Sequence, residues 1–144
     1  MTTEKRTRTA YLLGRLDRLV YRALEDILRD EDITVLGYTA LTVLASRPGL
    51  SNAQLARRAF MTPQGMNQAL AGLAEKDLVK RTPDELNRRV LRIELTERGH
   101  QLVEGYERQI DLYEEKLLAS LSDNQRDELN GMLLTIVNDN RHHP

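Results

Sequence analysis

The strongest constraint in this sequence is a pair of helix-start signals set so close together that the chain must turn sharply between them. The first is Ser51-Asn52-Ala53-Gln54. There the serine hydroxyl can accept from the Gln54 backbone N–H while the Gln54 side chain bonds back to Ser51, a capping box. The second is Thr62-Pro63: threonine caps free N–H groups, and proline at the first helical position loses no needed donor. Proline also pushes Thr62 into the extended conformation that a cap requires. With only Phe60 and Met61 between a helix over 51–59 and a helix from Thr62, the pattern predicts a helix-turn-helix.

In the second helix, Met66, Leu70 and Leu73 fall at i, i+4 and i+7 and define one buried face. The opposite face presents Gln64, Asn67, Gln68 and Ala71. Taken alone, these read equally as ordinary solvated positions, but amide side chains also suit a major groove, where Asn and Gln pair bidentately with adenine. The segment after this helix favours the groove. Leu78 to Thr82 and Arg89 to Leu95 read as two strands, the second alternating Leu91, Ile93 and Leu95 with Val90, Arg92 and Glu94. The turn from Pro83 to Arg88 joins them into a hairpin whose tip carries Arg88 and Arg89. An Arg-Arg pair by itself is a solvated turn; on a hairpin beside a helix-turn-helix, either arginine can reach a minor groove.

The segment resembles the winged helix of the MarR family of bacterial transcription regulators. The likeness rests on Thr62-Pro63, on Leu73-Ala74-Glu75-Lys76-Asp77-Leu78-Val79, on Asn87-Arg88-Arg89 and on Leu95-Thr96-Glu97-Arg98-Gly99, and the flanking helices extend it over nearly the whole chain. Three positions depart from the family pattern. Asn87 stands where an aspartate usually braces a wing arginine, so the expected brace is a hydrogen bond without a charge. Asp77 stands where glycine commonly ends the recognition helix in a left-handed conformation. Ala71-Gly72 replaces a commonly charged pair, removing the phosphate contacts usual there.

The expected fold is mainly α with a small β-hairpin wing: a winged helix-turn-helix head over 34–98, and a helical dimerisation region over 1–33 and 99–144. In the first helix, from about Thr9 to Leu28, Leu12, Leu16, Leu19, Ala23 and Ile27 repeat at three or four residues. From Thr96 to about Leu121, Leu102, Tyr106, Ile110, Tyr113 and Leu117 do the same. A second capping box, Ser122 to Gln125, opens a last helix with Leu129, Met132, Leu133, Ile136 and Val137 inward. A helix of about 25 residues is about 37 Å long, more than a small head covers. The expected remedy is a homodimer, with heads roughly 34 Å apart on a pseudo-palindromic double-stranded DNA operator; the other solution is a monomeric bundle.

Charge divides along the chain in a way that suits this plan. Although the net charge is −1, residues 47–98 hold ten Lys/Arg against six Asp/Glu, whereas 99–144 hold four against nine. A cationic head on an acidic stalk is what phosphate binding requires. The absence of cysteine excludes disulfides, zinc knuckles and the thiol switches of some members of the family. With no apolar run near the roughly 20 residues of a span, and no apolar signal core at the N-terminus, the expectation is a cytoplasmic protein with no membrane association.

The contacts expected on DNA are Gln64, Asn67 and Gln68 at base edges, Ser51 and Thr62 at phosphates, and Arg88 or Arg89 in the minor groove. The resemblance further implies a regulator, in the usual form a repressor, released by a small aromatic or phenolic acid. Tyr11, Arg15, Arg18 and Tyr38 are the candidate effector residues, since Arg15 lies one turn after Tyr11 and could take a carboxylate beside a ring. The competing reading pairs Arg15 with Asp17 or Asp111 and puts the tyrosines in the core. No catalytic residue, metal site or cofactor is expected. There is no phosphate loop or paired-histidine motif; Asp30-Glu31-Asp32 reads as a solvated loop, and His100, His142 and His143 lack further ligands. The remaining alternative is a winged helix that has lost DNA binding and acts by protein contact.

Overall fold

The computed structural model describes residues 7–140. Packing divides the chain into two compact units, one ending at Ile110 and one beginning at Asp111. The first opens with α1 (Thr9–Leu28), a 3-10 turn (Arg29–Glu31) and α2 (Val35–Ser46). Asp32 takes the left-handed conformation (φ 51°) between them, and the Thr34 hydroxyl caps α2 by accepting from Gly37 N–H at 3.0 Å. Helices α3 (Asn52–Arg58) and α4 (Pro63–Glu75) come next, then β1 (Val79–Pro83), β2 (Leu91–Leu95) and α5 (Glu97–Leu117).

The core gathers under the helix-turn-helix. Leu28, Leu41, Leu44, Leu55, Met66, Leu70, Leu78 and Ile93 are its largest fully buried side chains. One or two come from each of α1, α2, α3, α4 and β2, and Leu78 from the turn before β1, which is how residues far apart in sequence fix one head. At about 1.5–3 kcal/mol per fully buried aliphatic side chain, this cluster is the main stabilising element.

The hairpin is antiparallel, with Val79 opposite Leu95 and Pro83 opposite Leu91. Strand β2 begins two residues later than the sequence alternation implies, and Leu91 is exposed rather than inward, because it pairs at the end of the ladder that lies away from the core. A third segment completes the sheet locally: Gly49 N–H donates to the Ile93 carbonyl and Ile93 N–H to the Leu50 carbonyl, both at 2.9 Å. The residues just before α3 are therefore tied directly to the wing.

The junction with α5 explains Leu95-Thr96-Glu97-Arg98-Gly99. Thr96 donates its hydroxyl to the Asp77 carbonyl (2.6 Å) and accepts from Gly99 N–H (3.0 Å), while its own N–H bonds the Leu78 carbonyl (3.0 Å). Gly99 sits so close to Leu78 that a Cβ there would lie 2.2 Å from the carbonyl oxygen. Only glycine permits that approach.

The unit from Asp111 holds the end of α5 and α6 (Asp123–Asp139). Helix α5 stops at Leu117, about one turn earlier than the apolar spacing implies, and is about 31 Å long. Turn bonds from Ala119 and Leu121 close its end, and the Leu118 carbonyl is taken by Arg126 Nε at 3.1 Å. The Ser122–Gln125 capping box is complete and opens α6. Met132, Leu133, Ile136 and Val137 of α6 remain exposed, as do Leu12, Leu16 and Leu19 of α1. No described helix is long and apolar enough to cross a membrane.

Candidate nucleic-acid interface

Helix α3 starts on the expected box: Ser51 Oγ accepts from Gln54 N–H (3.3 Å) and Gln54 Oε1 from Ser51 N–H (3.0 Å). It ends with Phe60 in the left-handed region (φ 54°) and Met61 N–H bonded back to the Ala56 carbonyl at 2.9 Å, the pattern of a Schellman motif. A phenylalanine in that conformation is strained, and its side chain is 73 % exposed. The turn is sharp because this stop leads straight into Thr62, whose hydroxyl caps α4 by accepting from Gly65 N–H at 3.0 Å. Asn52 Nδ2 spans the turn to the Pro63 carbonyl (3.1 Å), fixing one helix start against the other.

Helix α4 divides as its periodicity demands. Met66, Leu70 and Leu73 are buried, and Gln64, Asn67, Gln68 and Ala71 face solvent together. Each cap hydroxyl, on Ser51 and Thr62, accepts one backbone bond and keeps its O–H to donate. Thr62 is exposed and Ser51 half-buried. The helix ends in a second Schellman motif, with Asp77 at φ 56° and Leu78 N–H on the Leu73 carbonyl (3.0 Å).

At the wing, Asp84 N–H closes the loop on the Val90 carbonyl (2.8 Å), and Asp84 Oδ1 accepts from Leu86 N–H (2.8 Å). Arg88 and Arg89 are exposed at the tip, and Leu86 is almost fully so. The brace differs from the one expected at Asn87. Its carboxamide accepts from the Arg89 backbone N–H (3.3 Å), stabilising the turn, whereas the charged brace is Asp84 with Arg92. The Leu86 N–H and then the Arg92 guanidinium hold the Asp84 carboxyl below the usual carboxylate range.

Neither Arg92 nor Asp84 is a candidate on sequence grounds, although Arg92 occupies an outward position of the alternating strand. Exposed Arg57 and Arg58 end α3, and Arg47 and Arg81 are exposed nearby in sequence to α3 and in β1. These four enlarge the cationic set, and the head's positive balance was the signal available for them.

The four candidate effector residues part company. Tyr11, Arg15 and Arg18 are exposed on α1, whereas Tyr38 is buried, its ring edge-on to Tyr106 at 6.0 Å between centroids. Among the described residues no group of three or more His, Cys, Asp or Glu is placed to hold a metal ion. His142 and His143 lie outside the described residues.

A model of the MarR family matches residues 31–90, from the turn after α1 to the wing. The HTH-type transcriptional repressor Rv2887 of Mycobacterium tuberculosis is 33% identical over 129 residues, spanning 90% of this chain and 93% of that protein. The chain belongs to the MarR family. Its fold is that of other MarR-family proteins. The structure of Mycobacterium tuberculosis Rv2887 in complex with DNA superposes with a TM-score of 0.77 at 30% identity, over 91% of this chain and 98% of that one. Rv2887 in complex with p-aminosalicylic acid gives 0.74 at 31% identity, over 90% and 98%. In this MarR-family chain the hairpin follows directly on the second helix of the helix-turn-helix.

Proposed function

We propose that this MarR-family chain is a sequence-specific double-stranded DNA-binding repressor that acts as a homodimer in the cytoplasm. The observation that carries this reading is the uncovered row Gln64, Asn67 and Gln68 on α4, framed by the Ser51 and Thr62 hydroxyls and by the Arg88-Arg89 tip. Amides at base edges give direct readout, cap hydroxyls and helix N-termini hold phosphates, and an arginine completes the grip in the minor groove. The DNA complex of Rv2887 supports it.

Dimerisation is supported by the exposed leucines of α1 and the exposed apolar face of α6, each of which a second copy would cover. A complex of Rv2887 with p-aminosalicylic acid supports release by a small aromatic acid. On this chain Arg15 with Tyr11, joined by Arg18 and bordered by Tyr38, is the place proposed for it.

Selection of bound fragments from the source genome, followed by titration of the selected duplex at several salt concentrations, tests the reading. A repressor loses affinity steeply as salt rises, in proportion to the phosphates contacted. Failure to retain any duplex in dilute buffer overturns it in favour of a protein-contact module. If Arg15→Ala leaves release by every active aromatic acid unchanged, the effector assignment falls alone.

A further inference from the structure

Leu86 is 98 % exposed, the barest large apolar side chain among the described residues. A single exposed leucine is ordinary on a protein surface; this one is set apart by its place. It sits in the loop between β1 and β2, and that loop is fastened on both sides of it. Before it, the Asp84 carboxylate accepts from the Leu86 N–H at 2.8 Å and is itself clamped by Arg92. After it, the Asn87 side chain accepts from the Arg89 N–H at 3.3 Å, and the Asn87 carbonyl accepts from the Val90 N–H at 2.9 Å. The leucine is thus carried on a preorganised tip, and a partner that covers it orders little new chain.

Charge says what that partner is. Arg92 offsets Asp84, and exposed Arg88 and Arg89 outweigh exposed Glu85, so the tip joins a net positive charge to an apolar side chain. A protein pocket taking Leu86 would have to pair or desolvate those guanidinium groups. A minor groove receives both, because phosphates line its rims and take cations. Its floor, however, is not the same at every base pair: A·T pairs present only acceptors, whereas guanine adds its N2 amine. Leucine cannot accept from that amine and excludes the water that would. A donor left unpaired in this way is costly.

We propose that Leu86 is a specificity-determining residue of the DNA interface, lying on the minor-groove floor, where it tolerates A·T pairs and rejects guanine by crowding the N2 amine. This rests on the DNA-reading function proposed above and adds base discrimination to the grip of the tip arginines.

The test uses the duplex selected from genome fragments, altered one base pair at a time on either side of the positions read by α4, and titrated at low salt so that weakened variants still bind. Replacing adenine by 2,6-diaminopurine adds the N2 amine, and replacing guanine by inosine removes it. Both leave the major-groove pattern of donors and acceptors unchanged. Wild-type protein should lose about fivefold or more in affinity where diaminopurine enters at the wing position. With a G·C pair placed there, inosine should recover about the same factor. Leu86→Ala should bring both effects within about twofold, and Leu86→Met, which keeps an apolar body, should retain them. Thermal unfolding of both variants should match wild type, since the side chain is bare.

An amine penalty that persists unchanged in Leu86→Ala assigns the discrimination to the arginines and overturns the proposal. Wild-type affinity indifferent to the amine at every position also overturns it and leaves Leu86 to a protein partner, while the DNA-reading function stands. Failure of the wild type to hold any duplex removes that function and the role of Leu86 with it.

Discussion

Arg92 holds Asp84 through two nitrogens on one carboxylate oxygen, Nε at 2.8 Å and Nη2 at 2.6 Å, while its third nitrogen reaches the head. Nη1 lies 3.3 Å from Gln54 Oε1 and 3.4 Å from the Gly49 carbonyl. Since Gln54 is also the returning half of the α3 capping box, one guanidinium connects the wing loop to the start of the helix-turn-helix. The orientation of the wing relative to α4 therefore depends on this pair. Arg92→Ala should leave the melting temperature nearly unchanged but speed hydrogen exchange at the Leu86 and Val90 amides and weaken DNA binding. Arg92→Lys should restore only part of the affinity, because lysine lacks the planar fork. Exchange rates equal to wild type would remove the coupling.

The same pair sets a pH response. Asp84 is held below the ordinary carboxylate range in the folded wing, chiefly by the Leu86 N–H and then by Arg92. A depressed folded value stabilises the closed wing at pH above the unfolded value, and that contribution is lost as pH falls through the lowered folded value. The wing should thus remain closed at mildly acidic pH and open only below the usual carboxylate range. The Leu86 amide resonance, followed by NMR, reports this directly. A midpoint at or above that of a free aspartate would contradict it.

Base reading and charge contact separate by mutation. Asn67→Ala should cost about 1–3 kcal/mol on the selected duplex and little on random DNA. Arg88→Ala should weaken both and lower the salt slope by about one. Parallel titrations on the two duplexes check both, and equal losses for Asn67→Ala would refute a base-edge role.

Gly99→Ala tests the junction of the wing with α5. The added Cβ would lie 2.2 Å from the Leu78 carbonyl oxygen, a backbone atom that cannot move aside without shifting β1. Overpacking of this kind costs about 1–3 kcal/mol, and thermal unfolding should show the loss. Gly72→Ala, where nothing lies within 4 Å, is the control and should hold or raise stability through helix propensity.

For the dimer, Leu16→Asp places a charge in the exposed leucine row of α1 without touching the core. Sedimentation should give twice the 16.5 kDa chain mass for wild type and a single chain mass for the variant, with helix content retained. A wild-type protein that sediments as one chain would end the two-headed arrangement.

Several features are readable along the sequence because their physics is local. Capping boxes at Ser51 and Ser122, the Thr62-Pro63 start, the buried face Met66, Leu70 and Leu73, and the left-handed strain at Asp77 each depend on residues within a turn or two of one another. What only the tertiary structure decided joins distant segments. The Leu50–Ile93 bridge, the reach of Arg92 to Asp84 and Gln54, and the burial of Tyr38 against Tyr106 have no periodic or capping signature. Local hydrogen bonds and amphipathic spacing are encoded by neighbours, whereas such meetings arise only once the core has set the helices and the hairpin in place.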